Sequence, residues 1–131
     1  MKTVSIIIVE NDSELRNKLR HAFESRGYVA WNCRDPEFVA CLLESVQPSI
    51  IILDLDISDF EGDIFAVMGT WHTLSPKTRV IVESANSDAE RMRKALVHGA
   101  EAFLTKPFSL DPLFNLLDNT ISSAPHQTQA A

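Results

Sequence analysis

The sequence has only two cysteines, Cys33 and Cys41, and their spacing matches no metal-ligand pattern, which leaves reduced, partly buried thiols as their reading. It also lacks an excess of basic residues: 12 Lys and Arg against 18 Asp and Glu give a net charge of −6. That balance implies no general affinity for nucleic acid. No apolar run approaches the ~20 residues of a membrane-spanning helix, and the start "MKTVSIII" has no signal-peptide cleavage site. A cytoplasmic protein with neither a membrane nor a direct nucleic-acid partner is expected. The 131 residues, 45% of them hydrophobic and 23% charged, suit one soluble domain with a real core.

Apolar runs alternate with helical patterns five times. "TVSIIIV" (3–9) reads as a buried strand, followed by a helix with Leu15, Leu19, Ala22 and Phe23 at helical spacing and Gly27 at its end. "YVAWNC" is a weaker second strand. In "DPEFVACLLESV" Asp35 caps, Pro36 takes the first helical position, and Phe38, Val39, Leu42, Leu43 and Val46 form the apolar face. "SIIILD" is the third strand, and a less regular helix near 63–73 ends at "SP" (75–76). "RVIVES" is the fourth strand. The next helix opens on the capping box Ser87…Glu90 and closes at Gly99. "AFLT" is a short fifth strand, and the last helix carries Leu113, Leu116, Leu117 and Ile121.

Five such repeats with continuously apolar first and third strands imply a parallel sheet covered by helices on both faces. Open sheets of this kind bind ligands at the carboxyl ends of their strands, beside the switch in strand order. Along that edge lie Glu10, Asn11 and Asp12 after the first strand, Asp54 and Asp56 after the third, Ser84 closing the fourth and Lys106 after the fifth. Singly, Asp56 reads equally as a solvated loop residue, Ser84 as an ordinary strand-end hydroxyl and Lys106 as an exposed turn residue. Convergence on one edge is what points to a site. Clustered carboxylates repel, and a bound hard cation resolves the repulsion. Asp54, ending the most buried strand, is the best-placed nucleophile, with Lys106 as a point charge and Ser84 as a hydrogen-bond donor to a phosphoryl group.

The stretches "IIIVEND", "PSIIILDLDISDFEG", "VIVESA" and "GAEAFLTKPF", in this order and spacing, resemble the receiver domain of bacterial-type two-component response regulators from residue 3 to about 122. The resemblance implies an α/β, doubly wound, five-stranded parallel sheet, flavodoxin-like, with strand order 2-1-3-4-5. Residues 1–122 would be the receiver domain and 123–131 a disordered tail or linker. By the same resemblance Asp54 is the phosphoacceptor, taking its phosphoryl group from a sensor kinase phosphohistidine. Ser84 and Phe103 are the switch residues, Lys106 is the family's lysine, and the Lys106–Pro107 bond is cis. Mg²⁺ would be held by Glu10, Asn11, Asp54 and the backbone carbonyl of Asp56, with Asp12 as a further ligand. The module would not be an enzyme but a signalling phosphoacceptor assisting its own Mg²⁺-dependent phosphorylation and dephosphorylation. Three positions depart from the family pattern: Asn11 where a second acid is usual, Ser58 where proline is common, and Glu83 at a normally aliphatic strand position.

Two other readings compete. "DLDIS" also looks like the first motif of haloacid-dehalogenase-type phosphatases, but here the nucleophile follows the third strand, the extra acids lie upstream, and only Asp111 and Asp118 follow Lys106. A phosphorylation-independent interaction module with the same fold is favoured by Asn11 and Glu83 and opposed by Asp54, Ser84 and Lys106. The partners implied are a sensor histidine kinase or phosphotransfer protein, and an output partner or second copy docking on helix 4, strand 5 and helix 5. Arg91, Lys94 and His98 share a stripe of helix 4, read as a solvated basic face. No output element follows residue 122, which fits either a stand-alone receiver or a linker.

Overall fold

The computed structural model describes residues 3–57, 60–86 and 88–122. Its strands are β1 (Ser5–Val9), β2 (Val29–Cys33), β3 (Ile50–Asp54), β4 (Arg79–Ser84) and β5 (Ala100–Thr105). The helices are α1 (Ser13–Ser25), α2 (Val39–Ser45), α3 (Ile64–Leu74), α4 (Ala89–Val97) and α5 (Leu110–Ser122). All neighbouring strands run parallel in the order β2-β1-β3-β4-β5, as expected. Chain direction across the sheet therefore reverses between β1 and β3, and a crevice opens at their carboxyl ends.

The aliphatic runs of β1 and β3 are buried on both faces because side chains alternate across the pleat. Ile7, Val9, Ile51 and Leu53 join Val39, Leu43, Phe65, Met68, Trp71 and Ala95 in the core beneath α2, α3 and α4. Ile6, Ile8, Ile50 and Ile52 face the other way, onto Leu19, Phe23, Leu113, Phe114 and Leu117 of α1 and α5. Phe23 meets Phe114 edge-on at 6.2 Å, and the Arg26 guanidinium covers the outer face of Phe114.

Aspartates start three of the helices. Asp12, Asp63 and Asp88 each accept from two backbone N–H groups in the first turns of α1, α3 and α4. The cap of α4 is therefore Asp88; the expected Ser87 lies outside the described residues, as do Ser58 and the 123–131 tail. Gly27, at φ +83°, turns the chain out of α1 as its position suggested. The helix of 63–73 is regular rather than irregular, since Asp63 caps it and Phe65, Met68 and Trp71 anchor one face. β5 begins two residues earlier than "AFLT", because Ala100 already pairs with Val80.

Phe38 departs from its expected place in the core and is 63% exposed. The chain leaves the Asp35 cap as a 3₁₀ turn (Pro36–Phe38) and becomes α-helical only at Val39. Three residues per turn rotate Phe38 off the stripe that Val39 and Leu43 bury. Ile121 also sits at the rim, at 37% exposure. No helix among the described residues is long and apolar enough to cross a membrane. In urea titrations Leu43→Ala should lose ~2–5 kcal/mol of stability, while Phe38→Ser should stay within ~0.5 kcal/mol of the natural protein.

Candidate functional site

The carboxyl ends of β1, β3 and β4 bring three acids into one buried pocket. Asp54 is the last residue of β3, Glu10 follows β1, and Glu83 is the penultimate residue of β4, in register with Asp54. All three are almost wholly buried. The Lys106 ammonium, one residue past β5, lies 3.2 Å from Asp54 Oδ2, 3.2 Å from Glu10 Oε1 and 4.0 Å from Glu83 Oε1. Its own backbone N–H donates to the Ser84 carbonyl at 2.9 Å, which ties the end of β5 to the end of β4. The Lys106–Pro107 bond is cis.

One ammonium cannot neutralise three carboxylates, and the protons distribute accordingly. Burial, reinforced by the neighbouring Glu10, pushes Glu83 up to about 10, so Glu83 is a neutral acid near pH 7. Neither Glu83 oxygen meets an N–H or O–H donor, and its neighbour is the Glu10 carboxylate. Burial also opposes the charge on Glu10, but that Glu83 contact, the Asp12 N–H at 3.1 Å and Lys106 hold it below the usual range. Burial and repulsion from Glu10 raise Asp54 to about 6, against the Asp56 N–H (2.8 Å to Oδ1) and Lys106. Asp54 is thus mostly rather than wholly ionised at neutral pH. Burial works against the Lys106 charge as well, but its carboxylate neighbours outweigh it and raise the lysine.

Asp56 lies outside this pocket, and its side chain rather than its carbonyl makes the visible contacts. Its Oδ1 accepts from the Ser84 hydroxyl at 2.8 Å and from Arg91 Nη2 at 2.9 Å, while Oδ2 accepts from the Ala85 N–H at 2.8 Å. Despite partial burial, these donors hold the Asp56 carboxyl below the usual range. Arg91 is consequently not part of a solvated basic face. Two residues into α4, it reaches back over the strand edge and also donates to the Leu55 carbonyl at 2.9 Å. Lys94 and His98 instead lie against the Phe65 ring of α3. Sequence reasoning missed Arg91 as a site residue; the signal available was its position in the first turn after a four-residue loop from Ser84.

The remaining expected residues are more dispersed. The Asp12 carboxylate is engaged by the Glu14 and Leu15 N–H groups as the cap of α1. Asn11 lines a cavity of about 190 Å³ with Arg34, Asp35, Pro36, Ile57 and Phe60. Phe103 is half-buried in β5 against the core beneath α2–α4. Among the described residues no three His, Cys, Asp or Glu side chains converge as a ready-made metal cage. The Glu10 and Asp54 oxygens are nevertheless hard donors in one pocket, and Glu10 Oε1 meets only the Lys106 ammonium, at 3.2 Å. That donor set fits a hard cation that keeps several of its waters.

The sign of the Glu83 effect on stability follows from its raised value. The folded state keeps the proton between about pH 4.5 and 10 while the unfolded chain has lost it, so the contribution present at low pH drains away as pH rises. In metal-free buffer the natural protein should therefore lose stability relative to Glu83→Gln from pH 5 to 9, by at most ~1.4 kcal/mol per unit. Thermal melts across that range check it; parallel curves would mean Glu83 holds no proton.

Known proteins share this fold. The response regulator receiver domain family matches residues 6–118. The DNA-binding transcriptional regulator NtrC of Proteus hauseri is 26% identical over 98% of this chain, which spans 27% of the length of that relative. A response regulator from Thermotoga maritima superposes with a TM-score of 0.83 at 20% identity, covering 93% of this chain and all of the other. A response regulator protein from Burkholderia pseudomallei, solved with a phosphorylated aspartic acid and a calcium ion, superposes at 0.79 with 18% identity over 91% of this chain and 69% of that one. By its sequence match, its strand order and its carboxylate edge, the chain belongs to the response regulator receiver domain family.

Proposed function

We propose that this domain is a phosphoacceptor that takes a phosphoryl group onto Asp54 from the phosphohistidine of a sensor kinase or phosphotransfer protein. The observation that carries the reading is Lys106 Nζ at 3.2 Å from Asp54 Oδ2, at the buried end of the central strand. An Asp54 oxygen attacks phosphorus, the P–N bond of the donor breaks, and an aspartyl phosphate forms while the histidine ring leaves. Lys106 holds the nucleophile in place and stands beside the charge that arrives, so its position serves both states. The Ser84 hydroxyl and the Ala85 N–H, at the end of β4 and bonded to Asp56, are further donors that a phosphoryl oxygen would engage.

Glu10 and Asp54 would hold Mg²⁺, with Asn11 and the Asp56 carbonyl completing the protein's share. When bound, the ion supplies positive charge to the phosphoryl oxygens. The relative solved with a phosphorylated aspartic acid and calcium supports a divalent ion in this role. The output surface is proposed to be α4, β5 and α5, for a downstream partner or a second copy. Leu96 and Val97 of α4 are exposed there, at 49% and 67%.

Mass spectrometry after treatment with acetyl phosphate and Mg²⁺ should show one added phosphoryl group, absent in Asp54→Asn. Equal labelling of that variant would remove Asp54 from the role, and no labelling of the natural protein would favour a phosphorylation-independent interaction module. A second expectation concerns the ion. Asn11 brings a carbonyl but no charge, so Asn11→Asp should bind Mg²⁺ more tightly by calorimetry and melt lower without it, as carboxylate repulsion grows. Unchanged affinity would place residue 11 away from the ion.

A further inference from the structure

The Ser84 hydroxyl is saturated. Its single proton goes to Asp56 Oδ1 at 2.8 Å, and its lone pairs face the Asn86 N–H at 3.0 Å and Arg91 Nε at 3.4 Å. The neighbouring Ala85 N–H is held at 2.8 Å by the other oxygen of the same carboxylate. Arg91 closes the group, with Nη2 shared between Asp56 Oδ1 and the Leu55 carbonyl. One carboxylate thus gathers a hydroxyl, an amide and a guanidinium, a donor set equally suited to phosphoryl oxygens. It is also joined to the acceptor residue, because the Asp56 N–H donates to Asp54 Oδ1 at 2.8 Å.

We propose that the Asp56 carboxylate is a resident stand-in for the phosphoryl group: it holds Ser84, the Ala85 N–H and Arg91 while Asp54 is free, and yields them when Asp54 carries phosphate. The inference rests on the phosphoacceptor reading of Asp54 and goes beyond it by making Asp56 an internal competitor and Arg91 a phosphoryl-binding residue. Ser84 has no second proton to give, so donating to a phosphoryl oxygen requires breaking its bond to Asp56. The Asp56 and Arg91 side chains are 33% and 27% exposed, so water screens the pair and opening it is cheap. A phosphoryl group with more charge and three acceptor oxygens outcompetes a single carboxylate for the same donors. Arg91, already at the strand edge, then turns from Asp56 to the phosphoryl oxygens with no displacement of the sheet.

The test is the affinity of the Mg²⁺-loaded protein for beryllofluoride, a phosphoryl mimic that binds an aspartate, followed by fluorine NMR titration. Asp56→Asn should bind it roughly fivefold more tightly, the fold-change of about 1 kcal/mol for a weak ion pair at 1.4 kcal/mol per decade. Arg91→Ala should bind it more weakly by a similar factor, since Asp56 still holds Ser84 and Ala85 while the guanidinium is gone. The double variant should lose the gain of Asp56→Asn, and Arg91→Lys should recover part of the loss. A pair that merely anchors α4 would weaken binding in both single variants alike. Shifts of the same sign, or none, in folded variants overturn the competitor. A natural protein that binds no beryllofluoride overturns the phosphoacceptor reading itself and this inference with it.

Discussion

A single ammonium group, Lys106 Nζ, stands among acids contributed by three separate strand ends: Glu10, Asp54 and Glu83. Without it the two charged carboxylates, Glu10 and Asp54, would face each other uncompensated in a pocket with little water. The lysine reaches that position because the fifth strand pairs with the fourth and its terminal N–H closes onto the Ser84 carbonyl. Sheet assembly and charge assembly are therefore the same event. The site is complete only once all four strand ends are in place.

Two layers of charge follow, separated by two residues of one strand end. Asp54 points into the dry pocket, where Glu83 is neutral and Glu10 and Lys106 are charged. Asp56 faces the wet edge, where hydroxyl, amide and guanidinium donors converge. The Asp56 N–H donates to Asp54 Oδ1 at 2.8 Å and so joins the two carboxylates across the layers. An event on the inner carboxylate is thus felt first by the residue that organises the outer donors.

Much of this was legible in the sequence because it depended on pattern and order. Uninterrupted Ile and Val runs marked buried parallel strands, and their order placed Glu10, Asp54, Ser84 and Lys106 on one edge. What stayed hidden depended on angles and reach. Phe38 satisfied an α-helical stripe, but the chain takes a 3₁₀ turn there and swings the ring outward. Arg91 looked like one member of an i, i+3 basic series, and nothing in the spacing shows a long side chain folding back past its own helix cap. Glu83 was visible as an anomaly in an aliphatic strand, yet its protonation depends on Glu10, 73 positions away, and on the depth of the pocket.

Anchorage is uneven among the helices. α5 buries Leu113, Phe114 and Leu117, and α3 buries Phe65, Met68 and Trp71, each worth roughly 1.5–3 kcal/mol for an aliphatic or aromatic side chain. α4 fully buries only Ala95, about one methyl group's worth of hydrophobic stabilisation. Such a helix rests on the sheet more than it is set into it. Its backbone amides are the ones to exchange with solvent early through local opening, while those of α5 and β3 wait for global unfolding. The energetic soft spot of the molecule thus coincides with the element whose first turn carries Arg91, and a small change at the strand edge has little packing to overcome in moving it.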